Sequence, residues 1–179
     1  TLQVARSFCP GGLGGWVSFV KKPLLAPLEL TIGASERMSA QGETIRELDE
    51  SKLRDDLTTL KATGEVEALT ICFINAYING THEQRAQEIA AEIFTDIPIS
   101  ISSDVVPEMQ EYERTETTVV NSYVKPEVSK YVNNLQAAIN DIMGSATQLS
   151  ILRSDGGLAS ARASADAPVN LLMSGPAGG

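Results

Sequence analysis

The fold is decided by one stretch of the sequence, VEALTICFINAYINGTHEQRAQEIAAEIFTDIPISI, which spans residues 66–101. Residues 66–74 form an apolar run of strand length, typical of a strand covered on both faces. From Thr81 the period changes, and Ala86, Ile89 and Ala90 fall on one helical face. Residues 97–101 are a second short strand. Strand, helix and strand in this order predict an α/β fold with a mostly parallel sheet.

The start of this helix carries two further expectations. Thr81 and Gln84 have the spacing of a capping box, in which each side chain satisfies a free backbone amide of the first turn. His82 is the only histidine of the chain. A metal site needs several converging ligands, so we expect a surface histidine here and assign no metal ligands.

Before this stretch, the sequence predicts a β-hairpin and a helix. Leu28–Met38 and Glu43–Leu48 are compatible with strands, and the intervening residues 39–42 end in a glycine suited to a tight turn. Asp49 or Ser51 can cap the helix that follows, and Gly64 can end it. We therefore divide the chain into an irregular segment with a hairpin, residues 1–50, and an α/β lobe, residues 51–179.

Beyond residue 101 the longest helical pattern runs from Thr117 to Gly144. Apolar side chains recur in it at steps of three or four, at Val120, Val124, Val128, Tyr131, Leu135, Ile139 and Ile142. Pro126 is expected to kink this helix or to begin a new one. Gln148–Leu152 and Val169–Met173 are predicted strands.

Composition excludes several classes of protein. The 179 residues carry a formal charge of −9 without a cluster of Lys or Arg, which argues against nucleic-acid binding. No apolar run approaches the roughly 20 residues that a bilayer requires, and no leader opens the chain. Cys9 and Cys72 are too few for a disulfide scaffold, so we expect a reducing, cytoplasmic compartment.

Two glycine-rich stretches are candidates for ligand binding. Asp155, in Ser154–Gly157, follows a predicted strand, and α/β proteins place ligands where strands end. An Asp-Gly turn is the simpler interpretation. The run Ser174–Gly179 can present backbone amides to a phosphate through Ser174, Gly175, Gly178 and Gly179, or it can be a tight packing turn.

A charged segment, Glu108–Arg114, precedes the long helix. Its carboxylates Glu111 and Glu113 and the neighbouring Arg114 suit acid-base work or a cation site. A solvated helix surface with many charges is the alternative.

Several motifs follow one another in register over residues 28–179. They are residues 35–42 before Leu48–Glu50, Asn75–Glu83, Ser102–Asp104 with Pro107 and Glu108, Glu111–Thr115, Asn121–Tyr123, Arg153–Leu158 and Ser174–Gly179. In this order and spacing the sequence resembles the central part of the hydantoinase A and 5-oxoprolinase family.

The resemblance implies an actin-like ATPase, or ribonuclease H-like, lobe that is incomplete at its carboxyl end. Such enzymes use ATP and Mg²⁺ to activate a cyclic amide by phosphorylation for ring-opening hydrolysis. Relatives carboxylate acetone or acetophenone, which is the alternative reaction, and a non-enzymatic actin-like binding module is the alternative of another class. The family's phosphate loops lie outside these 179 residues, so we expect the fragment alone to be inactive.

The resemblance also implies partners and roles for individual residues. A hydantoinase B-like subunit or a fused second half carries the other half-reaction, the small-molecule substrate is a cyclic amide or a ketone, and an oligomer is expected. Asp155 is expected to be catalytic, and Ser174, Gly175, Gly178 and Gly179 to lie at the nucleotide. Glu111, Glu113 and Arg114 are expected on the substrate side or at a subunit contact.

Overall fold

The computed structural model describes residues 7–8, 20–21, 24–144 and 147–177. The strands are β1 (Ser7–Phe8), β2 (Val20–Lys21), β3 (Arg37–Met38), β4 (Thr44–Arg46), β5 (Leu69–Ile71), β6 (Ile99–Ile101), β7 (Ser150–Leu152) and β8 (Leu158–Ser160). The helices are α1 (Glu50–Ala62), α2 (Thr81–Ile93), α3 (Ser102–Val105), α4 (Glu111–Met143), α5 (Ala161–Asp166) and α6 (Ser174–Ala177), with 3-10 helices at Leu28–Leu30 and Pro168–Leu171.

The unit β5-α2-β6 confirms the predicted strand-helix-strand order. β5 and β6 pair in parallel, with Leu69 opposite Ile99 and Ile71 opposite Ile101. The expectation of a mostly parallel sheet is wrong for the described residues, because the other three strand pairs are antiparallel. In β3-β4 and β7-β8 the strands are joined by tight turns, which favour antiparallel pairing. The hairpin predicted before residue 50 is β3-β4.

One face of the β5-β6 pair packs on α1 and α2 to form the core. Its buried members include Leu53, Leu57, Leu60, Leu69, Ile71, Ala86, Ile89, Ala90 and Ile101. Helix α1 begins where predicted, since the Asp49 side chain accepts a hydrogen bond from the Lys52 amide. Gly64 follows with a φ of 72°, a left-handed exit that glycine adopts without strain.

The other face of β5-β6 packs on the long helix α4 through polar side chains. Alternate strand residues point to opposite faces, and those that face α4 are polar. Thr70 Oγ1 lies 2.7 Å from Ser122 Oγ, and Asn121 Nδ2 donates to Ser100 Oγ at 3.2 Å. The side chains that α4 buries against this face are therefore polar. Of the apolar residues that predict the helix, Tyr131 and Ile142 are 65% and 83% exposed. The other five are half-buried: Val120, Val124, Val128, Leu135 and Ile139. The helix also begins earlier than predicted and runs through Pro126 without interruption.

Several local predictions are corrected by the hairpin and the connecting turns. The hairpin covers His82, which is 7% exposed rather than on the surface, and Glu36 Oε2 lies 2.9 Å from its Nδ1. The capping box is absent. Instead the Asn79 side chain accepts from the amide and hydroxyl of Thr81, and Gly80 precedes the helix. The strand predicted at Val169–Met173 is a 3-10 helix that begins at Pro168.

The hairpin is joined to the α/β unit by side-chain amides. Asn75 Nδ2 donates to the Met38 carbonyl at 3.0 Å, and Asn79 Nδ2 donates to the Gly42 carbonyl at 2.8 Å. The domain division at residue 50 stays a prediction. No helix among the described residues is long and apolar enough to cross a membrane.

A two-pronged ion pair joins α1 to α2 and should make stability depend on pH. Arg85 donates from Nε and Nη2 to the two carboxylate oxygens of Glu50, at 2.8 and 2.7 Å. The hydrogen bond to Arg85 lowers the pKa of Glu50. Because the pKa of Glu50 is lower in the folded state than in the unfolded state, the ion pair stabilises the protein fully at any pH above the unfolded-state pKa. This contribution is lost as the pH falls through the folded-state pKa. We expect Glu50→Gln to lower the melting temperature at pH 7. The substitution should have no effect at a pH so low that Glu50 is protonated in both the folded and the unfolded state. Melting curves of both proteins between pH 7 and pH 2 test this, and a pH-independent difference would contradict it.

Candidate functional site

Polar side chains collect where β5 and β6 end, the edge at which α/β proteins place ligands. Glu83 reaches this edge from the first turn of α2. Its Oε1 accepts from the Phe73 amide at 2.7 Å and from Ser102 Oγ at 2.6 Å, and its Oε2 accepts from the Ser103 amide at 2.8 Å. Phe73 follows β5, and Ser102 and Ser103 follow β6, so one carboxylate binds the residues after both strands. The Glu83 residue is 0% exposed.

Arg114 completes the group from the first turns of α4. Its Nε donates to Ser102 Oγ at 3.0 Å, its Nη2 to the Phe73 carbonyl at 2.6 Å and its Nη1 to the Glu108 carbonyl at 3.1 Å. The residue is 1% exposed. We call Glu83, Ser102 and Arg114 the carboxyl-edge cluster. Its two buried charges are joined through the Ser102 hydroxyl, as buried charges require, and the cluster ties α2, both strands and α4 together.

The two predicted carboxylates next to Arg114 lie at the margin of this cluster. Glu111 Oε1 accepts from the Asn75 amide at 3.3 Å and lies 3.7 Å from Arg114 Nη1. Asn75 has a φ of 61°, so the chain turns sharply where it leaves β5. Glu113 lines a neighbouring cleft of about 330 Å³ together with Arg114, Met109 and Thr117. The structure thus brings Glu111 and Arg114 together and sets Glu113 toward the cleft.

Asp155 lies in the turn between β7 and β8. Its Oδ1 accepts from the Gly157 amide at 2.9 Å, its Oδ2 lies 2.8 Å from Arg153 Nη2, and Gly156 has a φ of 81°. These are the contacts of an Asp-Gly turn. The carboxylate is more than half exposed, so it is also accessible to a ligand.

Ser154 brings this turn against the segment that leads into Ser174. Its Oγ donates to the Asn170 carbonyl at 2.8 Å and accepts from the Met173 amide at 3.0 Å. Asp155 and Ser174 are therefore in neighbouring loops. Ser174 begins the four-residue helix α6, and the position of a Cβ on Gly175 is open. Gly178 and Gly179 lie outside the described residues.

The described residues do not make a complete site for ATP or Mg²⁺. The cation nearest Asp155 along the chain, Arg153, is already paired with it. Between residues 24 and 177, apart from residues 145 and 146, no cluster of acidic, His or Cys side chains could hold a metal ion.

Asn121 connects the two regions and was missed as a site residue by sequence reasoning. It is 0% exposed, donates to Ser100 Oγ on β6 and accepts from the Val169 amide at 3.1 Å. The Val169 turn leads directly to Asn170, which Ser154 binds. Glu83 and Ser102 were also missed. Both lie in motifs that carry the family resemblance, but their position on the buried side of a helix or at a strand end becomes visible only once the faces are known.

The start of α2 fits closely against α3, and this contact can be tested. A Cβ on Gly80 would lie 2.8 Å from both Cβ and Oγ of Ser103. We expect Gly80→Ala to destabilise the protein by about 1–3 kcal/mol through overpacking. Ser103 Oγ has no hydrogen-bond partner among the described residues, so Ser103→Gly should relieve part of this loss. Urea denaturation of both single variants and the double variant measures the coupling. Strictly additive losses would show that the two residues do not clash.

Comparisons with known proteins match this chain to one family and to parts of longer proteins. The family described as Hydantoinase/oxoprolinase N-terminal region matches residues 16–94, and the family described as Hydantoinase/oxoprolinase matches residues 114–179. The chain is 30% identical to the caprolactamase subunit alpha of Pseudomonas jessenii, over 86% of this chain and 22% of that protein. It is 32% identical to the 5-oxoprolinase of Saccharomyces cerevisiae, over 77% of this chain and 10% of that protein.

The structure is also similar to a solved one. A nucleotide-free acetone carboxylase, from work on ATP-dependent acetone carboxylation, superimposes with a TM-score of 0.82 and 26% identity. The match covers 92% of this chain and 23% of that one. The chain thus spans about a quarter or less of the length of these proteins.

Proposed function

We propose, because the chain belongs to the hydantoinase/oxoprolinase family, that it forms part of an ATP-dependent subunit that opens a cyclic amide ring by hydrolysis. The observation that carries the proposal is the 30% identity to the alpha subunit of a caprolactamase over 86% of the chain. A caprolactamase acts on a lactam, which is a cyclic amide. The similarity to a 5-oxoprolinase supports the same class of substrate.

ATP would phosphorylate the amide oxygen with release of ADP, and Mg²⁺ would balance the charge in the transfer. Water would then attack the activated amide carbon, the ring nitrogen would leave with a proton as the C–N bond breaks, and hydrolysis of the resulting acyl phosphate would release the carboxylate and inorganic phosphate. This chain contributes the connecting segment that leads to the nucleotide. In the proposal Asp155 acts as a catalytic carboxylate, and Ser174, Gly175, Gly178 and Gly179 approach the nucleotide. Asn121 and Ser154 hold these loops against the sheet, so the carboxyl edge and the turn of Asp155 keep a fixed relation.

Glu111, Glu113 and Arg114 are proposed on the substrate or subunit side. The cleft beside Glu113 and Arg114 is concave and open, which suits either a small polar molecule or a side chain of a companion subunit. The caprolactamase relative is named as a subunit of a larger enzyme, as is an acetone carboxylase beta subunit, which supports a hydantoinase B-like partner and an oligomer.

ATP-dependent carboxylation of a ketone is the second candidate. It is favoured by the TM-score of 0.82 to acetone carboxylase over 92% of the chain. Both reactions begin with activation of a carbonyl oxygen, and they differ in the bond-forming step that follows. They therefore need the same nucleotide site and different companion chemistry.

The test uses the full-length protein with its companion subunit or fused second half. ATP hydrolysis and product are measured together for 5-oxoproline, hydantoins, lactams, acetone and acetophenone, the ketones with and without bicarbonate. Ring-opened product formed in proportion to ADP supports the hydrolase. Bicarbonate-dependent ketone consumption would transfer the assignment to the carboxylase. Nucleotide binding without substrate-dependent turnover of any compound would favour a non-enzymatic binding module.

A further inference from the structure

A cleft of about 330 Å³ lies beside the carboxyl-edge cluster, formed by the segment that follows α3 and the first two turns of α4. The residues that line it include Val106, Glu108, Met109, Glu113 and Arg114. Its volume is at the lower end of the range for small-molecule sites. It adjoins the carboxyl ends of β5 and β6, where α/β proteins bind ligands. The cleft therefore has the size and the place of a site for a small substrate.

The lining of this cleft is acidic. Glu108 and Glu113 bring two carboxylates to it, and Arg114 is the only cation among the described residues that line it. The surrounding chain has the same sign, since residues 104–117 contain five acidic residues and one basic residue. The charges around a cleft determine which ions it attracts, so this cleft favours neutral molecules and cations over anions.

The guanidinium of Arg114 is already engaged by the fold. Its three nitrogens donate to Ser102 Oγ and to the carbonyls of Phe73 and Glu108, at 2.6–3.1 Å. The ring of Tyr77 covers it, with the ring centroid 5.5 Å from the guanidinium carbon. Because Arg114 is 1% exposed, almost none of the guanidinium is open to a molecule in the cleft. A ligand carboxylate would thus meet like charges without an accessible cation, which is costly away from bulk water.

We propose that this cleft receives the ring of the substrate and selects an uncharged lactam over a lactam that carries a carboxylate, an inference that rests on the ring-opening function proposed above. The carboxylates of Glu108 and Glu113 can accept from the N–H of the ring amide. Val106 and Met109 offer apolar contact to the methylene groups of the ring. A carboxylate on the ring would instead bring a like charge toward the two glutamates. Glu113, which is held on α4, is a specificity-determining residue in this arrangement.

A matched pair of substrates tests the selection in the full-length protein with its companion subunit or fused second half. The pair is a lactam of the ring size that the enzyme opens, with and without a carboxylate on the carbon next to the ring nitrogen. For a five-membered ring these are 5-oxoproline and 2-pyrrolidinone. We expect kcat/KM for ring opening to be at least about tenfold higher for the uncharged member of the pair.

The outcomes separate this inference from the function on which it rests. Equal values of kcat/KM, or a preference for the lactam with the carboxylate, would overturn the inference and leave the ring-opening function in place. If no cyclic amide is opened, the proposed function is wrong and the inference fails with it.

Two variants show whether the charge of the cleft makes the selection. Glu113→Gln removes one lining carboxylate, so the ratio of kcat/KM between the uncharged and the charged lactam should fall at least about threefold. Glu116 is also half-buried in the first turns of α4 but is not among the described residues that line the cleft. Glu116→Gln changes the net charge equally and should leave the ratio unchanged. Because a ratio of two kcat/KM values does not depend on the folded fraction of the enzyme, partial unfolding cannot mimic this result. An unchanged ratio in Glu113→Gln, or equal changes in both variants, would contradict the proposal.

Discussion

Glu83→Ala is expected to lower the free energy of unfolding by about 2–6 kcal/mol, because two backbone amides lose their acceptor and each unsatisfied buried donor costs about 1–3 kcal/mol. The substitution leaves the amides of Phe73 and Ser103 without their acceptor, a carboxylate that is itself 0% exposed. It also removes the carboxylate to which Arg114 is linked through Ser102 Oγ, so that Glu111, 3.7 Å from Nη1, is the remaining carboxylate beside the buried guanidinium. The measurement is the shift in the urea midpoint of the full-length variant.

Two further variants show whether the loss comes from the buried charge. Glu83→Gln keeps one acceptor oxygen but turns an amide group toward a backbone donor, so we expect an intermediate loss. Glu92 is on the exposed side of the same helix, where it pairs with Arg54, and Glu92→Ala should change stability far less. If Glu83→Ala and Glu92→Ala cost the same, the carboxyl-edge cluster is not a main support of the fold.

The sequence predicts those elements whose residues interact with near neighbours. The hairpin turn before Gly42, the cap of α1 at Asp49 and the apolar face of α2 depend on spacing within a few residues, and all are confirmed. The order of β5, α2 and β6 follows from the same local periods. The family resemblance was carried by motifs in register, which is why it reached the correct family without any tertiary information.

The errors come from contacts between residues far apart in the chain. His82 has the local setting of a surface residue, and only the hairpin more than 35 residues earlier buries it beside Glu36. The valines of α4 predict the helix by their spacing, but Val120, Val124 and Val128 are only half-buried. The sheet face that α4 covers carries Thr70 and Ser100, so the helix buries Thr118 and Asn121 there. A pattern of apolar spacing cannot reveal that the facing surface is polar.

In the candidate site, too, the features set by neighbouring residues are predictable from the sequence and those set by distant contacts are not. The Asp-Gly turn at Asp155 follows from two adjacent residues and is present. The turn is held against the segment that ends at Met173 by the hydroxyl of Ser154, and the link from there to the sheet depends on Asn121. Neither residue has a chemical signature that marks it in the sequence.

Asp155→Asn distinguishes the two interpretations of this residue in the full-length enzyme. Asparagine retains the Oδ1 acceptor for the Gly157 amide and so preserves the turn, but it removes the charge that faces Arg153. If the carboxylate works in catalysis, as proposed, kcat of substrate-dependent ATP hydrolysis should fall by about a hundredfold or more, the scale of acid-base contributions. Asp155→Ala should then lose about as much activity as Asp155→Asn. If Asp155 only makes the turn, Asp155→Asn keeps nearly full activity and only Asp155→Ala is impaired. Asp141→Asn, an exposed carboxylate on α4, provides the control for loss of charge alone.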